Sequence, residues 1–189
     1  MASGKKIALV IGHNQRQQGA TNYIGETEYV FNSRMATKVK LLMWDMGREL
    51  HTIYRPDGSY TEQVKAVVRK ASDLELDMTF HLHFNSSRAL AKGAEILTFE
   101  DNGVCVADSI SDGLNEEFGF KERADDGVRR LYEGHRGFMM LHELSKKGIM
   151  GFIVEPTFAN YRHKESKIIF EAEDLYCGFL ARRLYALGS

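Results

Sequence analysis

The chain has 189 residues, 43% hydrophobic and 27% charged, with a formal net charge of -1. That is enough apolar sequence for one globular domain with a sizeable core, and it excludes a disordered or fibrous polypeptide. No block of like charge runs longer than about a dipeptide, so an electrostatic grip on nucleic acid or anionic lipid is not expected.

The first apolar stretch, Ile7–Ile11, ends at Gly12 and His13. It is too short for a signal-peptide core or a membrane span and reads as a buried strand, so no export signal and no stable membrane insertion are expected. From Glu26 to about Leu50, apolar residues recur at helical spacing (Val30, Phe31, Met35, Val39, Leu42, Met43, Met46), with Gly47 weakening only the last turn. His51–Pro56 reads as a short strand, and Ser59–Leu74 as a helix capped by Ser59 or Thr61. Leu76–Phe84 and Gly93–Phe99 are strand-like, Gly103–Gly119 is helical, and Phe120–Gly137, rich in Gly, Arg and Asp, reads as a long surface loop. Gly148–Glu155 is a buried strand, and His163–Leu187 predicts a C-terminal helix. Cys105 and Cys177 lack Cys-x-x-Cys spacing, so two free thiols are expected rather than a disulfide or a thiolate zinc site.

Alternating strands and helices predict an α/β fold: a single domain over residues 1–189, with a largely parallel twisted central sheet and helices on both faces. No repeat or linker divides the chain.

In such a sheet, ligands collect beyond the carboxyl ends of the strands. Three strands end at Gly12-His13, at His83 and at Glu155, and Glu28 opens the helix that follows the first of them. Two neutral imidazoles and a carboxylate form an open zinc site, and a further carboxylate beside it can serve as general base and acid. Each residue also has a structural reading: His13 as a loop histidine, Glu28 as an acid favouring a helix N-terminus. Glu155 is harder to set aside, because a carboxylate flanked by buried chain is costly without a role. Convergence on one edge is what favours the metal reading. His81 and His83 share a strand face, and spacing alone does not choose between them.

Taken in order, "IALVIGHN", "ETEYVFN", "MTFHLHFN", "GAEILTF" and "FIVEPTFAN" resemble the zinc-dependent N-acetylmuramoyl-L-alanine amidases of the amidase-3 family, from about Ile7 to the final helix. The resemblance implies that His13, Glu28 and His83 hold one Zn2+ and that Glu155 is the catalytic base and acid. It implies peptidoglycan as the substrate, cut at the amide joining N-acetylmuramic acid to L-alanine of the stem peptide. Asn32 and Asn85 match family positions and read as residues that fix loops or orient ligands. Glu95 matches a Gly-Ala-Glu motif whose role stays open. His81 departs from the family's usual Ser, as either a group beside the site or a packed strand histidine. Glu26 lies two residues before Glu28, on a different face of the helix, so only Glu28 is expected to reach the metal. His135, His142 and His163 read as ordinary surface or loop residues; His135 is the best substrate contact among them, and Arg136 could bind a peptide carboxylate. The expected setting is cell lysis by a phage endolysin released through a holin lesion, or the mature domain of a secreted bacterial autolysin, acting as a monomer. The competing readings are a zinc peptidase cutting within the stem and a non-catalytic peptidoglycan-binding module.

Overall fold

The computed structural model describes residues 4–87, 91–99, 101, 103–123 and 126–189. Its centre is a six-stranded sheet in the order β2-β1-β3-β6-β4-β5. The strands are β1 (Ile7–Ile11), β2 (His51–Ile53), β3 (Met78–Leu82), β4 (Glu95–Phe99), β5 (Val128–Leu131) and β6 (Met150–Glu155). β2, β1, β3 and β6 run parallel, whereas β4 pairs antiparallel to β6 and parallel to β5. The expected single α/β domain with a largely parallel sheet is therefore what forms. The direction of β4 was not legible in its five residues.

Strand alternation divides the core in two. Ile7, Leu9 and Ile11 of β1, Met78, Phe80 and Leu82 of β3, and Phe152 and Val154 of β6 face one apolar layer. That layer is closed by α1 (Glu28–Asp45), α3 (Val104–Phe118), α5 (Lys164–Phe170) and α6 (Glu173–Gly188). Phe80 and Phe152 stack within it, ring centroids 4.8 Å apart. Ala8, Val10 and Ile153 face the other layer, under α2 (Tyr60–Asp73) and α4 (Phe138–Ser145). Helices thus cover both faces. Among the described residues no helix is long and apolar enough to cross a membrane.

Local chemistry sets the helix ends more tightly than periodicity did. α1 begins at Glu28 rather than Glu26, because the Thr27 side chain accepts from the Val30 amide as N-cap. It ends at Asp45 rather than near Leu50, because Gly47 takes a φ of 75° that stops the helix. Ser59 and Glu62 form a reciprocal capping box at the start of α2. The stretch read as a loop over 120–137 contains β5, and α4 follows it directly at Gly137, whose φ is 88°. The expected C-terminal helix is two helices: α5 stops at Phe170, and Ala172, outside helical geometry, starts α6. Both cysteines are free.

Candidate metal centre

Parallel pairing of β1, β3 and β6 brings their carboxyl ends to one edge of the sheet. Just past β1, His13 holds a left-handed backbone (φ 65°), a conformation sparsely used by non-glycine residues that turns the chain out of the strand. Gly12 makes the turn possible: a Cβ there would stand 2.3 Å from the Leu82 carbonyl oxygen and 2.7 Å from Cε1 of His83. The loop that follows closes back over α1. Gly19 (φ 77°) lies so near that a Cβ would come within 2.6 Å of the His13 ring and 2.7 Å of Glu28 Oε2. Asn14 fixes this loop by accepting from the amides of Arg16 and Gln17.

Glu28, in the first turn of α1, is 2% exposed and lies between the two imidazoles. Its Oε1 is 2.8 Å from Nδ1 of His83 and its Oε2 is 3.2 Å from Nε2 of His13. The Phe84 and Ala20 amides donate to the same two oxygens. The two rings meet edge to face, centroids 5.2 Å apart. One donor atom from each of His13, Glu28 and His83 falls within 4.8 Å of the others.

Electrostatics prepares this trio for a cation. Burial alone would push the Glu28 carboxyl up, but the hydrogen bonds to His13 and His83 more than reverse that and hold it well below the usual carboxylate range. Burial pushes His83 down to about 4 despite the pull of Glu28, with Arg55 and His13 adding to the depression. The set is therefore a neutral imidazole and an ionised carboxylate beside a second imidazole, the protonation that metal ligation requires. Donor type, number and spacing all fit a His-His-Glu zinc site with an open position.

His81 does not join. It is fully buried inside β3 between β1 and β6, its Nε2 is 3.2 Å from the Thr79 hydroxyl, and its Nδ1 has no hydrogen-bond partner. Burial lowers its pKa well below the ordinary value, so it is a neutral packed ring. The i, i+2 ambiguity is resolved by strand length, since His83 lies one residue past the end of β3 and His81 within it. Glu26 also stays away, paired with Arg34 on the outer side of α1. A cleft of about 710 Å³ near that pair is lined by charged groups that already satisfy one another and by none of the trio.

Glu155 closes β6, directly opposite Glu95 in the antiparallel β4–β6 register. Burial first, then repulsion from Glu95 and Glu28, pushes its carboxyl up to about 7, with Arg136 and Arg123 tempering the rise. A carboxylate poised near neutrality suits reversible proton transfer. Glu95 reaches this edge because β4 runs antiparallel, which sends its first residue, not its last, to the metal side. It is 2% exposed and accepts from Asn85 (2.7 Å) and Arg123 (2.8 Å), with Arg129 3.6 Å away. Asn85 in turn pairs through its backbone with Thr157 and Ala159, so Glu95 ties the segment after β3 to the segment after β6. Asn32 donates to the Leu82 carbonyl, the residue before His83. Asn32 and Asn85 are thus the loop-fixing groups the sequence pointed to.

His135 is exposed and accepts from the Tyr132 amide, His142 stacks on Phe138, and His163 caps α5. Arg55 was missed. It follows β2, and its Nη2 stands 3.1 Å from Nε2 of His83. The carboxyl-end rule that selected His13 and His83 also selects this position.

The Amidase_3 family model, described as N-acetylmuramoyl-L-alanine amidase, matches residues 7–172. The chain belongs to this family. It is an amidase of peptidoglycan by that membership. Solved structures share the fold at low identity. The catalytic domain of the CD27L endolysin targeting Clostridia difficile is 21% identical, with a TM-score of 0.73 over 96% of this chain and 94% of that one. The catalytic domain of CwlV, an N-acetylmuramoyl-L-alanine amidase from Bacillus (Paenibacillus) polymyxa var. colistinus, is also 21% identical, with a TM-score of 0.71 over 95% and 93%. Ami1 from Mycobacterium abscessus, in its apo form, is 13% identical, with a TM-score of 0.74 over 99% and 100%. No curated protein sequence matches the amidase significantly.

Proposed function

We propose that this amidase uses one zinc ion, held by His13, Glu28 and His83, to hydrolyse the amide between N-acetylmuramic acid and the L-alanine of the stem peptide. Glu155 is its base and acid. The observation that supports this most is the convergence of two imidazoles and a buried, ionised carboxylate within 4.8 Å, on the sheet edge where a further carboxyl sits near pH 7.

Zinc bound there would bring the pKa of a water toward neutrality and polarise the scissile carbonyl. The chain's own residues do the rest. Glu155 Oε accepts a proton from the attacking water as the water oxygen bonds to the lactyl carbonyl carbon. It then returns that proton to the alanine nitrogen as the C–N bond breaks, which leaves a free amine and regenerates the carboxylate. Before metal binds, Glu28 holds both imidazoles in place through its two oxygens, and the amides of Phe84 and Ala20 hold Glu28. Glu95, held in place by Asn85 and Arg123, sets negative charge beside Glu155 and so raises the proton affinity of the base.

A lytic role of the endolysin or autolysin kind goes with this chemistry, in keeping with the shared fold of the CD27L catalytic domain and of CwlV. Chelation tests the metal assignment. Treated with a strong chelator and dialysed, the protein is expected to lose hydrolysis of purified peptidoglycan and to recover it with about one equivalent of zinc and not with magnesium, which prefers all-oxygen ligands. Undiminished hydrolysis by the metal-free protein would contradict it.

A further inference from the structure

Two guanidinium groups whose charge bears on the candidate site have no carboxylate partner among the described residues. Among the described residues Arg34, Arg123 and Arg162 each pair with a carboxylate, but Arg55 and Arg136 have none within 4.0 Å. Arg55 is half-buried in the segment between β2 and α2, and its Nε is fully buried without a hydrogen-bond partner. A guanidinium withdrawn from water and left short of acceptors is costly unless something supplies them. Arg136, in the turn between β5 and α4, is exposed and lies near enough to act electrostatically on Arg55 and on Glu155. Arg55 thus stands beside a candidate ligand, and Arg136 belongs to a different loop whose charge bears on the same base.

Among the described residues the one acceptor of Arg55 is Nε2 of His83. Arginine only donates, so this contact requires a lone pair on Nε2 and puts the ring proton on Nδ1, where it donates to Glu28. A metal held by His83 would need a ring nitrogen that the Arg55–His83–Glu28 contacts now use, so loading the site would leave the guanidinium free at its rim.

Resting on the functional reading above, we propose that Arg55, with Arg136 as a second cation, grips a free carboxylate of the stem peptide, making the amidase selective for stems whose residue after L-alanine is a free acid rather than an amide. Two forked donors match a carboxylate's geometry, and a site built to bind it discriminates against its neutral amide. Arg55 is then a specificity residue that touches substrate, and its resting contact with His83 keeps the guanidinium partnered until the metal arrives.

The test uses zinc-loaded protein and two synthetic muramoyl dipeptides that differ only in whether the carboxyl of the second residue is free or amidated. Wild type is expected to favour the free acid. R55Q should raise KM for the acid by about 10- to 100-fold with kcat little changed, and erase the preference, while R55K, which keeps the charge, should recover part of it. Calorimetric binding of the acid to zinc-loaded E155Q should weaken by the same factor when R55Q is added, and zinc affinity by chelator competition should not fall. Equal hydrolysis of both molecules by wild type overturns the inference alone. So does an R55Q that loses kcat equally on both with KM unchanged, because Arg55 would then act only through His83. A zinc-binding wild type that cleaves neither molecule overturns the functional reading, and this inference with it.

Discussion

Replacing Glu155 with Gln lowers kcat by roughly 10²- to 10⁴-fold, the range that positioned proton transfer contributes, while KM and bound metal stay near wild-type values. Gln keeps the shape and the place at the end of β6 but accepts no proton from water and has none to give the leaving nitrogen. Steady-state kinetics with metal analysis of the same samples checks this. An E155Q protein that kept most of its kcat would move the base elsewhere. The same substitution has an equilibrium signature in the metal-free protein. The folded carboxyl is raised from 4.5 to about 7, so folding favours its protonated form. That contribution is fully present below pH 4.5 and is lost as pH rises through 7. At pH 8 the ionised wild type is destabilised by about 3 kcal/mol at most, whereas Gln, always neutral, is not. Urea unfolding should therefore find E155Q more stable than wild type at pH 8, with the gap closing toward pH 5.

Glu28→Ala is the second large effect, with a different origin. The substitution removes a proposed ligand and also the anchor for both imidazoles, and it leaves the buried amide of Phe84 without its acceptor. Metal affinity should fall roughly 100-fold or more, because even partners that only orient ligands are worth 10- to 100-fold. Activity should fall with it, and excess zinc should restore only part. The metal-free variant should also lose about 1–3 kcal/mol from the unsatisfied amide. Competition with a chromophoric chelator measures the first effect and urea unfolding the second. An E28A protein that bound zinc as tightly as wild type would remove Glu28 from the ligand set. The two carboxylates carry opposite pH signatures: the depressed Glu28 stabilises the metal-free fold above its ordinary pKa of 4.5 and loses that contribution as pH falls, while Glu155 behaves in reverse.

What could be read from the sequence follows from where physical constraints are local. Ile7–Ile11 and Met150–Glu155 were legible as strands because the interior of each is buried on both faces, which demands continuous apolar sequence. β5 was not, since Val128 and Leu131 flank two exposed arginines in a four-residue strand at the sheet edge. α4, eight residues long, is too short to display a clear period. The division of the C-terminal helix at residues 171–172 carries no Pro or Gly to announce it. For the candidate site, strand ends sufficed to nominate His13, His83 and Glu155, because a parallel sheet fixes which end of each strand shares an edge. Choosing His83 over His81 needed the end of β3, which two identical side chains in one alternating run do not mark. Glu95 was quoted in a motif yet left without a role, since its arrival beside Glu155 depends on β4 running antiparallel. Arg55 fell on a strand end already in view, but an arginine there brings neither a ligand atom nor an ordinary base, and only its contact with His83 brings it to the candidate site.

The measurement that bears most directly on the central claim is mass spectrometry of the products from purified peptidoglycan, comparing zinc-loaded wild type, chelated protein and E155Q. The account predicts free stem peptides beginning at L-alanine, together with glycan strands stripped of peptide, from the zinc-loaded wild type alone. Fragments cut inside the stem would contradict the assigned bond, and intact peptidoglycan bound tightly without zinc would contradict catalysis itself.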